Sequence, residues 1–296
     1  MTMFDETTFR RESAMSDKER IRSELSMWMR FGSSPRRAAK ESRMTGLSSE
    51  QLSFYLEHGY LHVKNLLSDS EAATYRAELH ALAERQGRND ATWSSVQGGG
   101  TSLTHSHDVH FRSAAFTRLL VDRRLTDIAR DIIGPNVQLH HNKMFIKPPE
   151  RGSPFPMHQD YPYFPHERHS MIAVIIHFDD APEEKGCVRV YPGTHKLGPL
   201  EAVGQDHHLP EDEYPIDGAT PIPAKAGDAI FMSYLLVHGS GVNISSEPRT
   251  TWLVQLRDPE DRPLTEGHGS RGQGMMLAGV DPSAKPFRFA WEEQAA

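Results

Sequence analysis

The order of patterns along the chain predicts a mainly β fold with helical decoration, an α+β protein around a two-sheet jelly-roll core. Three observations carry that prediction. Helical periodicity with capping signals occupies residues 48–133, strand-like runs separated by Pro, Gly and Asp turns fill residues 137–257, and no repeat or low-complexity tract interrupts them. A chain of 296 residues is long enough for one large domain with a real core.

Residues 1–45 stand apart from the domain expected over 46–296. They hold ten Lys/Arg and seven Asp/Glu, +3 here against −10 in the remainder of a chain of net charge −7. The stretch FRRESAMSDKERIRSELSMWMRF fits an amphipathic helix using Ile21, Leu25, Trp28 and Met29. It reads as an extension packed on the domain or on a second copy of the chain in a homo-oligomer, the alternative being a flap over an active site. In the domain, Ser48 with Gln51 has capping-box form and opens a helix that stops at His58-Gly59. YLHVKNLL follows as a strand. Ser68 with Glu71 repeats the box before a helix from Asp69 to Arg85, residues 88–104 are polar and Gly-rich and predict a mobile loop, and Phe116–Ile133 predicts one helix closed by Gly134 and Pro135. From Val137 the expected strands are VQLHHNKMFIK, MIAVIIHF, CVRVY, DAIFMSYLLVH and RTTWLVQLR.

Composition excludes several classes. The net negative charge argues against a nucleic-acid groove. Cys187 is the sole cysteine, so neither an internal disulfide nor a thiolate metal cage is available. No stretch approaches the roughly 18 apolar residues of a membrane span, and the N-terminus lacks the apolar core of a signal peptide. A cytoplasmic protein acting on a small molecule, without nucleic acid or membrane, is expected.

The chemistry begins at PMHQDYPYF, residues 156–164. On a strand, residues two apart share a face, so His158 and Asp160 converge. His238 closes an apolar run 78 residues after Asp160 and is followed by small residues. Two histidines and a carboxylate make the facial triad of non-haem iron oxygenases, although zinc hydrolases use a similar set. Arg249, 11 residues after His238 at the start of the next strand, adds a cationic fork suited to a 2-oxo acid's distal carboxylate, which zinc hydrolysis does not need.

With KMFIKPPERG, MHQDYPYFP, GCVRVYPGTHKLG and VHGSGVN…PRT in that order, the chain resembles the phytanoyl-CoA dioxygenase family of Fe(II)/2-oxoglutarate oxygenases from about Ser49 to Arg257. The resemblance implies a double-stranded β-helix (cupin-like) core, iron on the catalytic residues His158, Asp160 and His238, and 2-oxoglutarate on Arg249, with Ser240 and Met144 lining its pocket. It also implies dioxygen as co-substrate, ascorbate as a stimulant, and oxidation of an unactivated C–H bond with release of succinate and CO₂. Relatives that halogenate carry Gly or Ala where Asp160 stands, so hydroxylation or a derived oxidation is expected. The tryptophan that some members place on the strand after H-x-D is absent from IAVIIHF. Substrates in the family range over acyl-CoA esters, amino acids, terpenoids, alkaloids and nucleotides. A non-catalytic ligand-binding β-helix and a zinc hydrolase on the same triad are the rival readings.

Tyr161, Tyr163 and Phe164 follow the ligands directly, and alternation turns at least one toward the substrate. The resemblance places HSHDVH at 105–110 near the active-site mouth, so it reads as a co-substrate or substrate segment, or as solvent-exposed, rather than a second metal site. His195 reads as a turn residue, His140 and His141 as barrel-wall hydrogen-bonders, and EGHGSRGQG at 266–274 as a lid or disordered loop.

Overall fold

A computed structural model describes residues 46–86, 104–149, 154–204, 207–265 and 269–284. The expected helix within 1–45, the loop at 88–104 apart from its last residue, and residues 266–268 of the Gly-rich stretch lie outside them.

Both capping boxes form. The Ser48 hydroxyl accepts from the Gln51 amide and the Ser48 N–H donates to the Gln51 side chain, opening α1 (Ser49–His58). Gly59 ends it at φ 80°, where any residue with a Cβ is disfavoured. Strand β1 (Tyr60–Val63) is shorter than expected because Asn65 turns the chain at φ 54°. The reciprocal Ser68–Glu71 bonds open α2 (Asp69–Gln86), and the loop expected beyond it ends in β2 (Thr104–His107). The single helix expected over Phe116–Ile133 is two, α3 (Ala114–Leu120) and α4 (Arg123–Ile133). Asp122 makes the break: extended backbone lets its carboxylate accept the Arg124 N–H at 2.9 Å and cap the second helix, a local bond that competes with helix continuation.

The strands that follow are β3 (Val137–Lys147), β4 (Phe155–His158), β5 (Ile172–His177), β6 (Val188–Val190), β7 (Thr220–Ile222), β8 (Ala229–Ser233), β9 (His238–Ser240), β10 (Arg249–Arg257) and β11 (Met276–Ala278). A seven-stranded sheet runs β1-β8-β5-β10-β3-β11, with β2 also paired to β3, and a four-stranded sheet runs β4-β9-β6-β7. Every pairing among them is antiparallel, and the predicted jelly roll is this pair of sheets. DAIFMSYLLVH, expected as one strand, is β8 and β9 in different sheets. The Leu236 amide bonds back to the Ser233 carbonyl at 2.9 Å, and that turn carries the chain across.

Alternation gives the large sheet two faces. Met144, Val174, Ile176, Phe231, Trp252 and Val254 face the helices, packing with Phe116, Leu119, Leu125 and Ile128. Ala173, Ile230 and Met232 meet Val188, Val190 and Ile222 of the small sheet on the other face. On β10, residues 249, 251, 253 and 255 therefore point between the sheets. On β3 a bulge at His140 separates the Leu139–Leu256 and His141–Gln255 pairs, which brings His141, Lys143 and Phe145 onto that inner face.

Trp252 ties the two layers together. Its indole N–H donates to Asn142 Oδ1 at 3.2 Å, and its ring meets Phe116 edge-on with centroids 4.9 Å apart, fully buried. Trp252→Ala should lower unfolding free energy by about 3–5 kcal/mol, read from the shift of the denaturant midpoint.

Candidate metal centre and active-site cavity

His158 and His238 are cross-strand partners in the β4–β9 ladder, with ring centroids 4.3 Å apart. His158 Nδ1 lies 2.7 Å from the Pro156 carbonyl and His238 Nδ1 lies 2.9 Å from the Leu236 carbonyl. A carbonyl only accepts, so each Nδ1 carries the proton and each Nε2 presents its lone pair. Asp160 Oδ1 stands 3.7 Å from His158 Nε2 and 3.9 Å from His238 Nε2, while Gln255 Nε2 donates to Asp160 Oδ2 at 2.6 Å. Among the described residues this is the one group of three such donors, all within 4.8 Å of one another.

Convergence comes by a route other than the expected strand. β4 ends at His158, and Asp160 is the residue that opens a 3-10 turn over Tyr161–Tyr163. Both the Asp160 and Tyr161 amides donate to the Tyr234 carbonyl, which fixes the bend.

The electrostatics suit a cation. Burial, with His158 beside it, pushes the His238 imidazole down to about 4, so its lone pair stays available at neutral pH. Burial raises the Asp160 carboxyl, yet the two imidazoles and the Gln255 amide outweigh it and hold the group below its ordinary value.

These donors line a cavity of about 410 Å³ between the sheets, within the range of small-molecule sites. Its apolar walls include Phe145, Phe155, Ile175, Val188 and Leu253. Ile175 is the cavity-lining residue of the stretch that lacks the tryptophan. Arg249 and Ser240 lie in the same cavity. Arg249 is only 5% exposed; its Nη1 donates to the Gly186 carbonyl, its Nε has no partner, and burial draws it down to about 10, still charged at neutral pH. Beside it on β3 is Lys147, whose Nζ donates to Ser240 Oγ at 2.9 Å and the Gly241 carbonyl at 2.6 Å. Burial, then Arg249, pushes the Lys147 amine well below its ordinary value. No carboxylate pairs with either among the described residues. An unmatched guanidinium buried near a three-donor centre fits a bound carboxylate, and the His/Asp/His set fits Fe(II).

Two expected site residues are placed elsewhere. Met144 alternates with Lys143 and Phe145 on β3, so it points to the helix side, opposite Trp252 and 1% exposed, away from the cavity. Tyr161 begins the 3-10 turn and packs on His169 and Tyr234, at 5.5 and 5.8 Å, while Tyr163 and Phe164 line the cavity. In HSHDVH, His107 lines the cavity, Asp108 accepts from the Ser270 hydroxyl at 2.5 Å, and His110 bonds the Asn142 side chain. His140 and His141 bond each other through their Nδ1 atoms, with His141 on the cavity wall, and His195 lies in the 3-10 turn over Thr194–Leu197. Lys143, Lys147, Thr251 and Gln255 were not expected. The signal was available: on β10 the polar residues 249, 251 and 255 sit two or four apart, as do Lys143 and Lys147 on β3.

Gln255→Leu leaves Asp160 Oδ2 buried without a donor. Fe(II) affinity, measured by anaerobic titration, should fall about 10- to 100-fold, with the fold intact by circular dichroism.

The comparisons with known proteins agree with this geometry. The sequence profile of the phytanoyl-CoA dioxygenase (PhyH) family matches residues 55–251. The chain is 30% identical over 222 residues to the peroxisomal phytanoyl-CoA dioxygenase of Rattus norvegicus, covering 67% of this chain and 64% of that protein. It is 28% identical over 239 residues to the ectoine dioxygenase of Bordetella parapertussis, covering 73% and 77%. Among solved structures, the non-haem, α-ketoglutarate-dependent carbocyclase SnoK of nogalamycin biosynthesis superposes with TM-score 0.64 at 24% identity, over 78% of this chain and 95% of that one. EctD from S. alaskensis, solved with 2-oxoglutarate and 5-hydroxyectoine, superposes with TM-score 0.63 at 21% identity, over 81% and 86%. These two share the double-stranded β-helix fold, and by its profile match the chain belongs to the phytanoyl-CoA dioxygenase family.

Proposed function

We propose that the protein is an Fe(II)- and 2-oxoglutarate-dependent dioxygenase that hydroxylates, or otherwise oxidises, an unactivated C–H bond of a small organic metabolite. The observation that carries this reading is the pairing, in one cavity, of a three-donor centre with a buried, unmatched Arg249. Residues 46–296 are the catalytic domain in this reading, and the apolar residues Ile21, Leu25, Trp28 and Met29 in the sequence of 1–45 suit contact with a second copy of the chain.

Each side chain has a stated task. His158 and His238 offer Nε2 because carbonyls hold their Nδ1 protons, and Gln255 aims Asp160 Oδ1 at the same point. Iron held by His158, Asp160 and His238 would supply the chemistry that couples decarboxylation of 2-oxoglutarate, to succinate and CO₂, with oxidation of a C–H bond by dioxygen. Arg249 matches the distal carboxylate in charge. Ser240 accepts from Lys147, so its own hydroxyl hydrogen is free to donate to the same carboxylate. Phe155, Val188, Ile175 and Leu253 keep water from the space between.

A zinc hydrolase could use the same three donors. Among the described residues Asp160 is the only carboxylate lining the cavity, however, and it is committed to the centre, which leaves no second carboxylate there to act as general base for water. Purified protein given Fe(II), 2-oxoglutarate and air should form succinate. Its absence across a range of iron concentrations would reject the reading. His158→Ala and His238→Ala should each abolish succinate formation with the fold retained, and wild-type turnover in either would remove that residue from the centre.

Removing one partner of a desolvated charge pair costs about 3–5 kcal/mol. At about 1.4 kcal/mol per tenfold, Arg249→Leu should raise the 2-oxoglutarate requirement by roughly 10² to several times 10³. Lysine should rescue only in part, since it keeps the charge without the fork. An apparent affinity within about threefold of wild type would withdraw Arg249 from co-substrate binding.

A further inference from the structure

The inner face of the large sheet carries a second cation that the proposed reaction leaves unassigned. Lys143 stands on β3 between His141 and Phe145, opposite Leu253 of β10 and His107 of β2, and lines the cavity. Burial lowers the Lys143 amine from its ordinary value, and the Asp160 and Asp108 carboxylates oppose that shift. Its place on the inner face puts it in the same cavity lining as the triad. Neither carboxylate is its partner. Asp160 is held by Gln255 and aimed at the metal donors, and Asp108 is taken by the Ser270 hydroxyl and the Arg271 amide.

Charge matching then says what the site lacks. A divalent ion and Asp160 together leave one positive charge; Arg249 and Lys143, the arginine and lysine of the lining, add two; dianionic 2-oxoglutarate removes two. Lys147 does not line the cavity, its amine is held well below its ordinary value by burial and by Arg249, and it does not enter the balance. One unmatched positive charge remains. Tyr163, Phe164, Ile175 and Leu253, which line the cavity with Lys143, bring no compensating charge.

Resting on the dioxygenase reading, we propose that the substrate is a monoanion, a carboxylate with an apolar body, whose carboxylate is bound by Lys143. An ammonium on one wall and aromatic rings on another would hold such a molecule at two points beside the metal donors. Lys143 is thus a specificity-determining residue.

The test uses wild type, Lys143→Met and Lys143→Arg, each loaded anaerobically with Fe(II) and saturating 2-oxoglutarate. Binding of matched carboxylates, amides and amines, on alkyl and phenylalkyl bodies from acetate to 4-phenylbutanoate, is measured by calorimetry. Wild type should favour the best carboxylate over its amide by at least about tenfold, the preference expected from about 1.4 kcal/mol of charge-assisted bonding. Lys143→Met should bring the ratio near one, and Lys143→Arg should keep part of it. The proposal is overturned if no carboxylate of the panel binds wild type, if carboxylate and amide bind alike, or if the preference survives in Lys143→Met. Separate titration with 2-oxoglutarate closes the remaining route: a loss of co-substrate affinity in Lys143→Met matching the loss for carboxylates assigns the amine to the co-substrate instead. Succinate formation by wild type reads the reaction class independently, so failure here is distinct from failure there.

Discussion

The metal centre depends on one cross-strand pair, His158 opposite His238 in the β4–β9 ladder. Side chains alternate along a strand, so a one-residue slip would turn one imidazole out of the cavity. The pairing is held on both sides, because β9 also pairs with β6, placing Val190 opposite His238. It also demands close backbone approach: a Cβ on Gly239 would stand 2.6 Å from the Phe155 carbonyl oxygen and 2.7 Å from Met157 Sδ. The glycine after His238 is therefore a packing requirement of the register that brings the donors together. Each ring is then oriented by a carbonyl two residues earlier in its own chain, so ligand geometry is set locally once the ladder is in place.

The same strands serve stability and chemistry on opposite faces. On β10, Trp252, Val254 and Leu256 belong to the helix-side core, and Arg249, Thr251, Leu253 and Gln255 line the cavity. Substitutions on one face should act on unfolding and on the other face on binding, with limited overlap. Asn142 shows the separation. It points to the helix side, accepting from Trp252 and the Val109 amide, while Lys143 next to it points inward.

What was legible in the sequence was local. Capping boxes at Ser48 and Ser68 need only residues three apart, and both form. The donors were legible from their spacing and flanking blocks, and the structure brings His158, Asp160 and His238 together. Decisions taken between segments were not. The break at Asp122 turned on a side chain that also engages Arg124, which in turn reaches Glu71 on another helix. The crossing after Ser233 happens inside a run that is apolar throughout, because both halves are buried in different sheets. Met144 was chosen by resemblance when alternation, applied backward from Lys147, puts residues 143 and 145 inside. The spacing of Lys143 with Lys147 and of Arg249 with Gln255 was in the sequence, but that β3 and β10 lie side by side came only with the pairing register.

That register buries the basic side chains of Arg249 and Lys147 with no carboxylate paired to either among the described residues. Arg249 is held by the Gly186 carbonyl, and Lys147 by Ser240 Oγ and the Gly241 carbonyl. A carboxylate in either place would anchor the side chain more strongly, but it would cancel the positive potential that the cavity directs inward. Neutral acceptors fix position and leave charge. The cavity thus carries positive charge at Arg249 that no carboxylate among the described residues pairs. A ligand meeting it must bring negative charge to two separate points, one at Arg249 and one beside the triad. Selectivity for anions follows from where the fold withholds a carboxylate, as much as from where it places a cation.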